Sequence, residues 1–270
     1  MVDNSKIAIV STVINFDLYA KSSQLFPQKI KKYVIDGRNG MYGLDSIFYM
    51  MKKLKNKDIE WIIMADEDVL FHNTTVVLDI IDKMQRENYM VAGVRDGGMI
   101  RHRYFNPYLI NTFFSIINFR ELKEIWNKKE LLKNSYILNN EFNDNLTTLK
   151  EDYDVRSLYE PYYIFFLWLR RKNKLFLFLN ANLEEDEITN SVLYNHQLFL
   201  YHTWFARAYG INEKHTKRID KIFNLLNFES TTTISNPIIF KDNTFFLIQK
   251  IKRKYKIIVK RLKIKKWSKN

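Results

Sequence analysis

The 270-residue chain, 46% hydrophobic and 15% aromatic, can bury one large core or two small ones, and this composition excludes a disordered protein. It has no cysteine, which rules out disulfide frameworks, zinc–thiolate centres and thiol nucleophiles. The formal net charge of +13 is uneven, because residues 249–270 hold eleven Lys or Arg and no acid, leaving the rest of the chain almost balanced.

Taken in order, the segment KIAIVSTVI (6–14) is a strand by its β-branched content, and its N-terminal flank lacks the basic start and apolar core of a secretory signal. KKYVID (31–36) follows as a second strand, with the glycine-spaced turn GRNGMYG after it. LDSIFYMMKKLK (44–55) has helical apolar spacing and ends in lysines. IEWIIMA (59–65) is a continuous apolar run of the kind that forms a strand buried on both faces. A helix over 74–88 and a strand over 89–95 come next. Residues 97–150 are harder to read. NPYLINTFFSIINF suits strand or helix, and FRELKEIWNKKELLKN is helical. A helix is expected from Pro161, then a strand at 174–181, then a strand over 196–210 running into a helix or loop. The alternation predicts an α/β fold with a mostly parallel, Rossmann-like sheet. No apolar stretch reaches the about 20 residues of a spanning helix, so the cytoplasm is the expected location.

The chemistry concentrates in WIIMADEDVLF (61–71), where an apolar run is broken by three acids. They stand at the carboxyl end of a strand, where ligands gather in α/β sheets. In extended backbone Asp66 and Asp68 fall on one side and can share a hard divalent cation with phosphate oxygens. A solvated turn is the plain alternative, but the apolar flanks leave the acids little room in water. The same string also resembles the nucleophile motif of haloacid-dehalogenase-like phosphatases, with Asp66 as nucleophile and Asp68 as general acid. That family needs a later acidic pair, which Glu184, Glu185, Asp186 and Glu187 could imitate.

Further along come an acid ahead of a helix (Glu160) and LYHTWFARAY with His202. With the Ser-Thr strand end, VID and its turn, and the DED triplet, this order resembles the GT-A class of nucleotide-sugar glycosyltransferases over about residues 6–210. The resemblance implies a nucleotide-binding half over 1–96 and an acceptor half over 97–210, followed by a connecting segment, 211–243. It assigns Mn²⁺ or Mg²⁺ to Asp66, Asp68 and His202, and a UDP- or GDP-sugar as donor. Glu160 becomes the general base of an inverting reaction, with Asp152 of EDYD in reserve; helix capping is the sober reading of Glu160. Ser11, Thr12, Asp36, Arg38, Tyr42, Asp45 and Glu67 fall to the nucleotide, and Arg95, Asp96, His102 and Asn111 to the donor sugar or acceptor. The implied acceptor is a glycan or a lipid-linked sugar, in surface polysaccharide, lipopolysaccharide or capsule synthesis.

Residues 244–270 read as a basic amphipathic helix. Ile248, Ile251, Tyr255, Ile258 and Leu262 recur at three- and four-residue steps, with Lys250, Lys252, Arg253, Lys254, Lys260 and Arg261 around them. Trp267 and the flanking phenylalanines favour an anionic membrane over nucleic acid as its partner. The expected placement is peripheral, on the inner face of the plasma membrane.

Overall fold

The computed structural model describes residues 3–229, 236–251 and 254. The chain begins β1 (Ile7–Val13), α1 (Phe16–Ser22), β2 (Lys31–Asp36), α2 (Leu44–Leu54), β3 (Trp61–Ala65), β4 (Val69–Phe71), α3 (Val76–Arg86) and β5 (Tyr89–Arg95). It continues with β6 (Ile110–Asn118), α4 (Phe119–Ile125), α5 (Lys128–Leu131), α6 (Tyr163–Arg171), β7 (Leu175–Leu183), β8 (Asn190–Tyr194), β9 (Gln197–His202), α7 (Glu213–Leu225) and β10 (Ile238–Phe240). The strands and helices expected before residue 96 are all present, joined by the short α1 and β4.

The ten strands lie in the order β10-β2-β1-β3-β6-β5-β7-β8-β9-β4. Around β1 the pairing is parallel, to β2 on one side and β3 on the other. The sheet is not mostly parallel, however. β6 runs antiparallel to both β3 and β5, and β7, β8, β9 and β4 continue antiparallel to one another. Four pairings are parallel and five antiparallel, so the fold is a mixed α/β sheet rather than the expected Rossmann-like one. Apolar runs announce buried strands but not their direction, which is why the reversal at β6 was invisible in the sequence.

Alternation along the strands divides the core into two layers. Ile7, Ile9 and Val13 of β1 join Ile63 and Ala65 of β3 on the face covered by α3. Ala8, Val10, Ile62 and Met64 face the other way, against α2 and α6. β3 and β4 stand far apart in the strand order, yet only Asp66, Glu67 and Asp68 connect them. Three residues span at most about 10 Å. The antiparallel end must therefore curl back over the middle of the sheet, and the acidic triplet is the point of closure.

Residues 211–243, expected as a connection, supply α7 and the edge strand β10, which pairs with β2. Ile219, Ile222 and Phe223 of α7 pack against Leu18, Leu70 and Tyr201. Residues 245–251 are helical, with Phe246, Leu247, Ile248 and Ile251 exposed, and Lys250 and Lys254 are exposed as well. The remaining expected membrane residues Lys252, Arg253, Lys260, Arg261 and Trp267 lie outside the described residues. Among the described residues no helix is long and apolar enough to cross a membrane.

Candidate active site

The acidic triplet forms a turn, not the extended strand end expected from the sequence. Val69 donates its N–H to the Asp66 carbonyl (3.1 Å), and Asp66 donates its own to Phe113 on β6 (2.9 Å). The middle acid turns inward: Glu67 Oε1 accepts the backbone N–H groups of Ile14 (3.0 Å) and Asn15 (3.2 Å), pinning the triplet to the β1–α1 connection. Burial and then the charge of Asp68 push the Glu67 carboxyl up to about 7. Burial, reinforced by Glu67 and Asp68, holds Asp66 well above the usual carboxylate range, with Arg207 opposing. The triplet thus gathers carboxyl groups that are costly to ionise unaided, and a cation placed among them would relieve that cost.

Opposite lies His202, at the end of β9. Its Nε2 is 3.3 Å from Asp68 Oδ1, and the ring stacks on Phe113 at 4.0 Å with a 6° tilt. Thr203 ties the strands together by donating both its N–H and its hydroxyl to the Asp68 carbonyl. The buried Nδ1 of His202 has no hydrogen-bond partner within the described residues. Among those residues no three His, Asp or Glu side chains already converge as a closed metal centre. An imidazole beside one carboxylate, with a second carboxylate facing the same space, nonetheless suits a hard divalent ion that keeps most of its shell for phosphate oxygens and water.

The loop after His202 is strained. Trp204 (φ 57°) and Phe205 (φ 60°) are consecutive left-handed residues, costly for bulky side chains. Compensation comes from all sides. The Trp204 indole donates to Asn190 (2.8 Å), Arg218 donates to the Trp204 carbonyl (3.0 Å) and to Thr189 (2.8 Å), and the Phe205 ring stacks on His215 (4.3 Å). The clamp places both aromatic residues, and Arg207 after them, on a cavity wall.

That cavity measures about 1160 Å³ and opens at the carboxyl ends of β1 and β3. Of the residues expected to serve the nucleotide, Thr12, Arg38, Tyr42, Asp45 and Glu67 line it. Ser11 is buried elsewhere, and Asp36 is held below the usual carboxylate range by a two-pronged bond from Arg38 (2.7 and 2.9 Å). Phe245, Phe246, Gln249 and Lys250 close one side, Gln249 donating to Asp45 (3.3 Å). The start of the basic tail is therefore part of the site.

Asp96 does not reach the cavity but organises its far wall. Fully buried, it accepts five bonds: two from Arg103 (both 2.7 Å) and one each from Asn111, Tyr162 and Tyr163. A buried carboxylate demands that many donors. Arg103 turns its remaining capacity to Glu160 (2.8 Å), which lines the cavity together with Asn111 and Tyr162. Glu160 caps no helix, since α6 begins at Tyr163 with Tyr162 as its N-cap.

Several expected contributors sit elsewhere. Asp152 is exposed and off the cavity. Arg95 pairs with Asp144 (3.3 Å) and lies over the Phe178 ring (3.4 Å), a structural role. His102 meets the cavity only through Trp204, edge-on at 4.5 Å. Glu184, Glu185 and Glu187 are also off it, and Asp186 is engaged with Thr189 and Arg218. Arg207, not among the residues expected at the site, lies over Tyr42 (5.4 Å) on the cavity wall. Its position five residues past His202 was the available signal.

No family model matches the chain, and no curated protein matches it. Among solved structures it is similar to A197 from STIV, at 13% identity and TM-score 0.37, over 73% of this chain and 93% of that one. It is also similar to the glycosyltransferase GlyE of Streptococcus pneumoniae TIGR4, at 10% identity and TM-score 0.35, over 86% of this chain and 66% of GlyE. The functional reading therefore rests on the site itself.

Proposed function

We propose that the chain is a metal-assisted glycosyltransferase that moves a sugar from a UDP- or GDP-sugar to a glycan or lipid-linked acceptor with inversion. The observation that carries this reading is the contact between Asp68 and His202 at the rim of a nucleotide-sized cavity, with Asp66 facing the same space. In this account Asp68 and His202, with Asp66, hold Mn²⁺ or Mg²⁺. When bound, the ion neutralises charge on the departing diphosphate. Arg38 and Arg207 flank the phosphates, and Thr12, Tyr42 and Asp45 border the nucleoside. Glu160 takes the proton from the attacking acceptor hydroxyl, and Arg103, locked by Asp96, fixes its direction.

The phosphatase reading loses ground because its second acidic group does not share a cavity with Asp66. The tail supports a peripheral site on an anionic, cytoplasmic membrane face, where surface polysaccharide, lipopolysaccharide or capsule precursors are assembled. Exposed Phe246, Leu247, Ile248 and Ile251 beside Lys250 fit such a surface. Nucleic acid is not an expected partner.

A panel of UDP- and GDP-sugars, assayed for Mn²⁺-dependent release of nucleoside diphosphate, tests the activity, and NMR of the product anomer tests inversion. Release that ignores Asp68→Ala, or no release from any donor, overturns the reading. Flotation on vesicles containing anionic lipid tests the tail, comparing the full chain with one cut after Ile251. That cut keeps the cavity wall and the exposed Phe246, Leu247, Ile248 and Ile251, so equal flotation would show that residues 252–270 are not the anchor, and no flotation of either chain would remove the membrane from the account.

A further inference from the structure

Outside the cavity lining, on residues next in sequence to Arg103 and Glu160, the surface carries aromatic rings that the proposed chemistry does not use. Tyr159, next to Glu160, is 67% exposed, and Tyr104, next to Arg103, is 58% exposed. Single exposed aromatics are ordinary on protein surfaces. These are not single. Phe105 and Tyr159 stack at 4.2 Å with only 7° between their planes, and Tyr104 packs on Phe105 at 5.0 Å. The Arg103 guanidinium carbon lies 4.5 Å from the centre of the Phe105 ring. Phe105 is thus packed against Arg103, Tyr104 and Tyr159.

The stack is rooted in the core. Arg103 is fixed by the buried Asp96, Phe105 rests on Arg103, and Tyr159 rests on Phe105 with its outer side in water. The backbone is fastened there too: Asp154 donates its N–H to the Phe105 carbonyl, and Asn106 donates to the carbonyls of Val155 and Ser157. A flat ring held in place before any ligand arrives saves the entropy of ordering it. Its apolar face, with a hydroxyl at the edge, matches a pyranose ring, which carries C–H groups on its faces and hydroxyls around its rim. An acyl chain gains nothing from that polar rim.

We propose that Tyr159, supported by Phe105 and Tyr104, is a carbohydrate platform that stacks a pyranose ring of the acceptor beside Glu160. Its role in catalysis rests on the transferase reading, but its binding of sugar does not.

Saturation-transfer NMR on the full chain with Mn²⁺ and UDP or GDP tests it. The probes are the methyl glycosides of galactose, glucose, mannose and N-acetylglucosamine, with glycerol as the acyclic control. At least one glycoside should receive saturation at its axial C–H protons. Tyr159→Ala should reduce this at least fivefold, and Tyr159→Trp should retain it. Because Tyr159 is exposed, the alanine variant should melt within a degree or two of the parent. Silence from all four glycosides, or equal transfer to the parent and Tyr159→Ala, overturns the platform. Nucleotide-dependent stabilisation, read on the same samples, separates the two claims. Its absence with glycoside binding intact contradicts the transferase and leaves the platform standing.

Discussion

Val69 and His202 are register partners across β4 and β9, and this pairing sets the His202 imidazole 3.3 Å from the Asp68 carboxylate. The two residues lie 133 positions apart in the chain. β4 exists to make the junction: three buried residues, Val69, Leu70 and Phe71, anchor the strand immediately after the acids. The site is therefore built by sheet closure and not by a flexible loop, which favours a fixed geometry.

Glu160 and Asp152 separate cleanly by position. Glu160→Gln should lower turnover by about a hundredfold or more while leaving nucleotide-dependent stabilisation intact. Asp152→Asn should leave turnover within about twofold of the parent, because the carboxylate is exposed and off the cavity. Steady-state kinetics on both variants decide. The reverse pattern would move the base to Asp152.

Arg218 holds the strained Trp204–Phe205 turn through the Trp204 carbonyl and Thr189, beside Asp186. Arg218→Met removes these bonds and leaves the partly buried Asp186 carboxylate without its cation. The cost should be about 2 kcal/mol by urea unfolding, with a further loss of nucleotide affinity as the turn relaxes. Stability within about 0.5 kcal/mol of the parent would mean the turn needs no clamp.

Glu141 is held below the ordinary glutamate range, first by its bonds from Arg171. A depressed carboxylate contributes stability that is present above its unfolded value, about 4.3, and lost as pH falls through the folded one. Glu141→Gln should therefore cost about 1–2 kcal/mol at pH 6. The gap to the parent should narrow as pH falls below about 4. Urea melts at pH 6, 4.5 and 3 check this; a gap that widens on acidification would reverse the assigned sign.

Much of the first half was legible because its physics is local. Apolar, β-branched runs mark β1, β2 and β3, and period-3.6 apolar spacing marks α2 and α3. What escaped was set by distant partners. β4 has three residues, and β8 (NSVLY) is too polar to announce itself; both are strands because β9 pairs with them. Chain direction at β6 has no local signature. At the site, the approach of His202 to Asp68 followed from the resemblance to GT-A enzymes, which rests on residue order. The five donors to Asp96 were not, since Arg103, Asn111, Tyr162 and Tyr163 meet only in three dimensions. Arg95 and Asp96, adjacent in sequence, part company at the end of β5: Arg95, its last residue, pairs with Asp144, while Asp96 just beyond it is enclosed by Arg103, Asn111, Tyr162 and Tyr163.

Asp68 and His202 are proposed to hold a divalent ion against a nucleoside diphosphate. Thermal unfolding of the full chain with Mn²⁺ and UDP or GDP, each at about 100 times its Kd, tests it directly. The expected stabilisation of about 2.7 kcal/mol raises Tm by several degrees, and it needs both components. Asp68→Ala and His202→Ala should each remove the gain while folding normally in the absence of ligand. No shift with any nucleoside diphosphate, or a full shift in both variants, would contradict the account.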